Sequence, residues 1–189
     1  MSDTVRTFIA FELPEQIVGA ISQIQEGLKK SGLKMKWVKP ENIHLTLKFL
    51  GNIKTSDVEK VDRAMTRSSR GVDPISLAVK GMGVFPDLRR PRVLWVGITG
   101  GVNSILTLHS AIEENLESIG FPKENRPFKG HLTVGRVKAR IDSKILADAM
   151  KAFETFESES FIADHLILFQ SELRPTGAVY TKLKTQSLG

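Results

Sequence analysis

Apolar residues in the first half of the chain follow two spacings, one typical of strands and one of helices. Alternating or continuous apolar positions predict strands, whereas apolar positions three and four residues apart, as at 17, 21, 24 and 28, predict helices. Proline and glycine mark the expected ends of these elements. The predicted order is a strand over 5–13, a helix over 14–31, a short strand over 35–38, a strand over 43–50 stopped by Gly51-Asn52, a helix over 55–70, a strand over 75–79 and a loop over 81–91.

The second half of the chain repeats this order. It contains a strand over 92–98, a helix over 102–119, a basic loop over 121–130, a strand that starts at His131, a helix capped by Asp142-Ser143 and a long strand over 161–169. A shift of 87 residues superimposes the helices and strands of one half on those of the other. We therefore interpret the chain as a single bilobal domain over 1–189 that arose by internal duplication, with pseudo-repeats at about 5–80 and 92–167.

One short motif occurs at the matching place in both halves. His44-Leu45-Thr46-Leu47 and His131-Leu132-Thr133-Val134 share the pattern histidine, apolar, threonine, apolar, and each follows a proline four residues upstream, at Pro40 and Pro127. Residues i and i+2 of a strand lie on one face, roughly 6.6 Å apart. Each HxT motif therefore places an imidazole beside a hydroxyl, an arrangement that suits the binding of one oxyanion.

Strict alternation in the first copy assigns its residues to two faces. The second copy differs because Gly135 is followed by Arg136, where another apolar residue is due. A glycine inside a strand often marks a bulge, which would turn Arg136 to the histidine side. The expected core face of the first copy holds Ile43, Leu45, Leu47 and Phe49, and its other face holds His44, Thr46 and Lys48.

Composition limits the classes of protein that fit. With 41% hydrophobic and 25% charged residues the chain is typical of soluble globular proteins, and because it has no cysteine, disulfides and thiolate metal sites are excluded. The apolar stretch Phe8 to Phe11 lies between Arg6 and Glu12 and is too short for a signal sequence or a membrane span. We expect a cytoplasmic protein, whose net charge of +6 favours polyanionic partners or simply gives a basic surface.

Two HxT strands related by a pseudo-two-fold axis would bring two histidines across one groove. With an ordinary pKa near 6.5, one imidazole can be neutral while the other is protonated. This is the requirement for acid and base working on opposite sides of one phosphorus, while Thr46, Thr133 and Arg136 hold the non-bridging oxygens. No metal need take part.

These residues and the duplication resemble the 2H phosphoesterase superfamily, and within it the RNA 2′,3′-cyclic phosphodiesterases, also called 2′-5′ RNA ligases. The resemblance covers nearly the whole chain, and two HxT motifs in these settings are a specific signal. It is carried by the segments RTFIAF at 6–11, WVKPENIHLTLKFLG at 37–51, RPRVLW at 90–95 and FKGHLTVGR at 128–136.

The resemblance implies a fold, a reaction and a set of roles. The fold would be α+β, with duplicated β-α-β-α-β units forming two pseudo-symmetric lobes, antiparallel sheets lining a central groove, and helices outside. The reaction would be hydrolysis of RNA 2′,3′-cyclic phosphate ends to 2′-phosphates without a metal or cofactor. His44 would be the acid for the departing O3′, His131 the base that activates water, and Thr46, Thr133 and Arg136 the phosphate ligands.

The implied partner is RNA with a 2′,3′-cyclic phosphate end, including tRNA-derived fragments, or a small cyclic nucleotide, and we expect a monomer that acts at no membrane. Two alternatives stay open. The same histidines would make a 2′-5′ linkage if a 5′-hydroxyl of another RNA replaced water, and a non-catalytic RNA-binding module would keep the basic groove without chemistry.

The remaining candidate residues have structural interpretations. We interpret His109 as a surface or boundary residue, His165 as a hydrogen-bonded structural histidine and Trp95 as core. Trp37 and Phe49 are candidates for stacking on a base, although alternation assigns Phe49 to the core face. The basic loop with Arg89, Arg90 and Arg92 would either track an RNA backbone or form a solvated surface.

Overall fold

The computed structural model describes residues 3–175 and 177–189 and has the predicted α+β class. No helix within these ranges is both long enough and apolar enough to span a membrane. The elements are β1 (Thr4–Phe11), α1 (Glu15–Lys30), β2 (Met35–Trp37), β3 (Leu45–Lys54), α2 (Val58–Ser69), β4 (Ile75–Phe85), β5 (Val93–Gly100), α3 (Val102–Glu117), β6 (His131–Val137), α4 (Ser143–Lys151), β7 (Phe161–Ala163), β8 (His165–Arg174) and β9 (Gly177–Ser187).

The strands form two antiparallel sheets that exchange elements. The four-stranded sheet has the order β3-β1-β8-β9, and the five-stranded sheet has the order β2-β6-β5-β4-β7. Strand β4 of the first half pairs with β5 of the second half, and β8 of the second half pairs with β1 of the first. Each sheet therefore combines strands from both halves of the chain, which ties the two lobes together.

One face of each sheet packs on helices and forms the main core. Alternate residues of β1 and β3 such as Ile9, Phe11 and Leu45 are almost fully buried there, together with Leu94 and Leu132 of the other sheet. Helices α2 and α3 pack on each other and contact the four-stranded sheet. The side-chain Nε2 of Gln25 on α1 donates to the carbonyls of Val38 and Val134, both at 2.8 Å, which fixes α1 against β6 of the other sheet.

Two glycines that predicted chain breaks lie inside continuous strands. Gly51 and Gly81 both have φ of +71°, a left-handed conformation open to glycine, and each lies at a register irregularity. Pairing resumes on the far side, so β3 runs to Lys54 rather than ending at residue 50, and β4 runs to Phe85 through part of the predicted loop.

The end of the chain differs most from the prediction. The predicted strand over 161–169 is two strands, β7 and β8, which are separated at Asp164 and belong to different sheets. Strand β9 was not predicted, although Val179, Tyr180 and Thr181 are residue types enriched in strands. It pairs with β8 and forms one edge of the four-stranded sheet.

Candidate active site

Each HxT strand carries a bulge at the same point of the motif. In β3, Thr46 pairs with Ala10 and Lys48 with Ile9, so the residue between them, Leu47, has no partner across the sheet. A bulge of this kind inserts one residue and reverses the alternation of side chains beyond it. In β6, the pairs are Thr133 with Trp95 and Gly135 with Leu94, and the extra residue is Val134.

The bulge overturns two of the predictions for the first copy. Lys48 was expected on the histidine face but is buried on the core side, with 3% of its surface exposed. Phe49 was expected in the core but is 59% exposed and lies on the His44 face, where its ring is 6.0 Å from that of Phe8. Simple alternation failed here because Leu47 adds one residue to the strand.

In the second copy the bulge has the predicted effect on Arg136. Arg136 is exposed and pairs with Val93, which places it on the same face as His131 and Thr133. Gly135 is not what makes the bulge, because β3 has the same bulge with lysine at that position. Gly135 instead makes room for β2: a Cβ there would lie 3.3 Å from the Met35 Cε and from a Trp37 ring carbon.

Both histidine rings are held by the same local hydrogen bond. The Nδ1 of His44 lies 2.9 Å from the carbonyl oxygen of Asn42, and the Nδ1 of His131 lies 2.7 Å from that of Lys129. Since a carbonyl only accepts, Nδ1 is the donor in both rings, and Nε2 is left to exchange protons. The Asn42 side chain also donates to Ala178 of β9 at 2.9 Å, which anchors the turn before His44.

Aromatic rings surround His44. Phe8 stacks on the imidazole with 4.5 Å between centroids, and Tyr180 contacts it edge-on at 5.2 Å. Burial lowers the pKa of His44 to about 4, although the hydrogen bond to Asn42 opposes this shift. A cavity of about 340 Å³ opens beside the ring, lined by residues that include Phe169 and Tyr180.

Cations lie close to His131. Its ring meets Phe85 edge-on at 4.9 Å, and the Lys129 Nζ lies 4.4 Å from the ring centre of Trp95. Burial is again the main reason that the pKa of His131 is lowered; its hydrogen bond to the Lys129 carbonyl opposes this, and the charges of Lys129 and Arg136 add to it. Trp95 is buried, as expected of a core residue. It lies on the His131 face of the sheet, however, and not in the main core between the sheets and the helices.

The two strands approach each other at the junction of the sheets. Cα atoms of β3 and β6 come within 8 Å, and a Cβ on Gly130 would lie 3.8 Å from a methyl carbon of Leu45. The charge of Arg136 acts on both sides, since it lowers the pKa of His131 and opposes the burial that raises the pKa of Tyr180. We call the surface between the two histidines the central groove. The residues assigned to it are His44, Thr46, Phe49, Tyr180, His131, Thr133 and Arg136.

A buried charged network connects the first HxT strand to the loop before the second. The Lys48 Nζ donates to Glu113 Oε2 of α3 and to the Pro122 carbonyl, both at 2.8 Å, and the Glu124 N–H donates to the same carboxylate at 3.0 Å. His109 stacks on Phe128 with 4.5 Å between centroids. The network therefore fixes the path of the loop over 121–130, which leads to His131.

The other candidates lie away from the groove. His109 is a boundary residue, as expected, and the Nδ1 of His165 is 2.6 Å from the Asp164 carboxylate, in keeping with a structural role. Trp37, a candidate for stacking on a base, pairs with Gly135 and packs against the main core, so it is not on the His131 face. The aromatic residues Phe8, Phe85, Phe169 and Tyr180 were missed because their strands carry no motif; only their β-strand composition pointed to them.

Comparison with known proteins gives consistent matches over nearly the whole chain. A family model described as LigT-like phosphoesterase matches residues 11–95 and again 96–180. The RNA 2′,3′-cyclic phosphodiesterase of Methanocaldococcus jannaschii is 35% identical over 180 residues, covering 95% of this chain and 99% of the relative. That of Methanothermobacter thermautotrophicus is 33% identical, with 95% and 97% covered.

Solved structures share the fold. The TT0787 protein of Thermus thermophilus aligns with a TM-score of 0.81 and 27% identity over 97% of both chains. The E. coli LigT complexed with 3′-AMP aligns with a TM-score of 0.75 and 23% identity over 98% of both chains, a likeness of fold alone.

Proposed function

The chain belongs to the LigT-like phosphoesterase family, and from this premise we propose that it hydrolyses RNA 2′,3′-cyclic phosphate ends to 2′-phosphates, with His44 and His131 as acid and base. The observation that carries the proposal is the matched pair of imidazoles. Each uses Nδ1 on a backbone carbonyl two residues upstream and keeps Nε2 for proton transfer.

The two histidines divide the proton transfers. His131 Nε2 takes a proton from a water molecule as its oxygen bonds to phosphorus. As the bond from phosphorus to O3′ breaks, His44 Nε2 gives its proton to that oxygen, leaving a 2′-phosphate monoester and a free 3′-hydroxyl. The product leaves with His131 protonated and His44 neutral, and exchange with solvent restores the starting state.

The lowered pKa of His131 agrees with its role as the base, whereas the role of His44 as the acid depends on the charge of the substrate. A lowered pKa keeps His131 neutral and able to accept a proton near pH 7. His44 must carry a proton, and its pKa of about 4 in the free protein opposes this. The bound phosphate diester is an anion, and an anion beside the imidazole raises its pKa. Substrate binding therefore favours the protonated form of the His44 imidazole.

Arg136, Thr46 and Thr133 supply the donors for the phosphate oxygens. The threonines lie two residues from the histidines on the same faces, half-buried, and Arg136 presents a fixed cation to the groove. Charge grows on the non-bridging oxygens as water attacks, so donors placed in advance stabilise the transition state more than the ground state.

The surroundings of the two histidines favour this direction of attack. The leaving O3′ belongs to the ribose, so the nucleoside lies on the side of the acid, where Phe49 is exposed and Tyr180 lines the adjoining cavity. Stacking of a base on such rings is a common mode of single-strand recognition. Water approaches from the opposite side, near His131 and the cations.

The test is the opening of a nucleoside or oligoribonucleotide 2′,3′-cyclic phosphate in the presence of a chelator. We expect the 2′-phosphate as the product, identified by its retention beside 2′- and 3′-phosphate standards. A requirement for a divalent ion, or a 3′-phosphate product, would contradict the mechanism. Added RNA with a 5′-hydroxyl tests the ligase alternative, which predicts a 2′-5′ linked product, and binding without turnover would indicate an RNA-binding module.

A further inference from the structure

Four arginines from two separate loops line one cleft at the end of the five-stranded sheet. Arg89, Arg90 and Arg92 come from the connection between β4 and β5, and Arg140 comes from the connection between β6 and α4. All four are exposed, and the cleft has a volume of about 960 Å³. Arg89, Arg90 and Arg92 are close together in the sequence, and the fold brings Arg140 next to them.

The acidic residues of these loops are occupied by backbone groups. Asp142 is the acidic residue lining the cleft, and its Oδ1 accepts from the backbone N–H groups of Lys144 and Ile145 at the start of α4. The Asp87 Oδ1 accepts from the N–H groups of Arg89 and Arg90. Over the part of the chain that the structure describes, none of the four guanidinium groups forms an ion pair. Gathered like charges repel one another, and a concave cluster of free arginines is typical of a site for a polyanion.

Hydrogen bonds within and between the segments that line the cleft hold its shape. The Ser143 Oγ donates to the Leu88 carbonyl at 2.6 Å, the Arg92 N–H donates to the Phe85 carbonyl at 2.7 Å, and the Val137 N–H donates to the Arg92 carbonyl at 2.9 Å. The arginines therefore project from a fixed frame that continues the paired strands β4, β5 and β6.

This frame places the cleft next to the central groove. Val137 lines the cleft and directly follows Arg136, which lies in the groove. Val137 lies six positions after His131, so at about 3.3 Å per residue the cleft begins within roughly 20 Å of His131. An oligonucleotide of several nucleotides bound at the histidines is long enough to span this distance.

We infer that the arginine cleft binds the phosphodiester backbone of the RNA strand whose cyclic phosphate lies between the two histidines. The inference rests on the proposed function and narrows its substrate to an oligoribonucleotide rather than a cyclic mononucleotide. Guanidinium groups suit this task because their planar donors pair with two phosphate oxygens and stay charged at every working pH.

The test compares two substrates in three proteins. The substrates are a cyclic mononucleotide and an oligoribonucleotide of about ten nucleotides with a 2′,3′-cyclic phosphate end. The proteins are the parent chain, Arg89→Ala/Arg140→Ala, and a matched control, Arg63→Ala/Arg70→Ala, which removes two arginines on or next to α2, away from the cleft. In the cleft variant we expect the ratio of kcat/KM for the oligonucleotide to kcat/KM for the mononucleotide to fall about tenfold, through KM. The control should keep the parent ratio.

Binding measured by fluorescence anisotropy gives a second readout that does not need turnover. Each lost phosphate contact should reduce the slope of log affinity against log salt concentration by about 0.7 for a single strand. An unchanged ratio and slope, or an equal loss in the control, would overturn the inference. Failure of the parent chain to open either substrate would instead overturn the proposed function, and the anisotropy slopes would still decide whether the cleft binds RNA.

Discussion

The two histidine sites have the same backbone and different surroundings. Both have an HxT motif, a bulge after the threonine, and an Nδ1 donor to a carbonyl two residues upstream. The first residue past the bulge that faces the groove is Phe49 in one copy and Arg136 in the other. Aromatic rings contact both imidazoles, and the charges of Lys129 and Arg136 act on His131 in addition. The shared backbone positions two proton-transfer groups, and the neighbouring residues make them unequal.

The same contrast occurs on the core side of the bulge. Lys48 and Gly135 occupy equivalent positions there, one binding the buried carboxylate of Glu113 and the other making room for Met35 and Trp37. Because removing either Lys48 or Glu113 would leave the other buried charge without compensation, this ion pair holds β3 against α3. Each copy of the motif is therefore joined to its own surroundings, β3 to α3 and β6 to β2.

Loss of either imidazole should have the largest effect and should be similar in both copies. Because each histidine serves a different proton transfer, His44→Ala and His131→Ala should each lower kcat by on the order of 10²-fold or more. Initial rates on a cyclic phosphate substrate measure this. His109→Ala and His165→Ala are the controls and should stay near the parent rate. A loss in His165→Ala with the circular dichroism spectrum unchanged would refute its structural assignment.

The equivalent pair Arg136 and Phe49 tests whether charge and stacking are divided between the copies. Arg136→Ala should reduce kcat by roughly 10²- to 10³-fold, the scale of one transition-state donor, and Arg136→Lys should recover part because it restores the charge but not the planar fork. Phe49→Ala should act through KM instead, by about tenfold, as expected for one lost stacking contact. The measurement is kcat and KM determined separately for each variant. If both variants changed the same kinetic constant, charge and stacking would not be divided between the two copies.

The pH profile is the smallest and most discriminating effect. Activity of the free enzyme needs His44 protonated and His131 neutral, and the product of these two fractions is greatest midway between their pKa values. Since burial lowers the pKa of His44 to about 4 and that of His131 below 6.5, kcat/KM should be greatest below pH 6.5. The profile of kcat should lie at higher pH, because the bound phosphate anion raises both pKa values. A kcat/KM maximum above pH 7 would contradict the lowered pKa values.

The sequence by itself predicted the class of fold, both HxT strands and the groove-facing position of Arg136. These follow from local rules: strand residues alternate between faces, helices repeat every three to four residues, and two histidine motifs at matching places indicate one shared site. The family resemblance came from the same segments and is confirmed by the matched family model. The reaction, its substrate and the roles of the catalytic residues remain predictions.

The tertiary structure decided what depends on pairing between distant strands. The bulges at Leu47 and Val134 are set by register against β1 and β5, so no local pattern could show that Lys48 is buried or that Phe49 faces the groove. The exchange of β4 and β8 between halves brings Phe85 to His131 and Phe169 near His44. Burial of the imidazoles, and with it their lowered pKa values, exists only once these strands have packed, because desolvation depends on every neighbour and not on the motif alone.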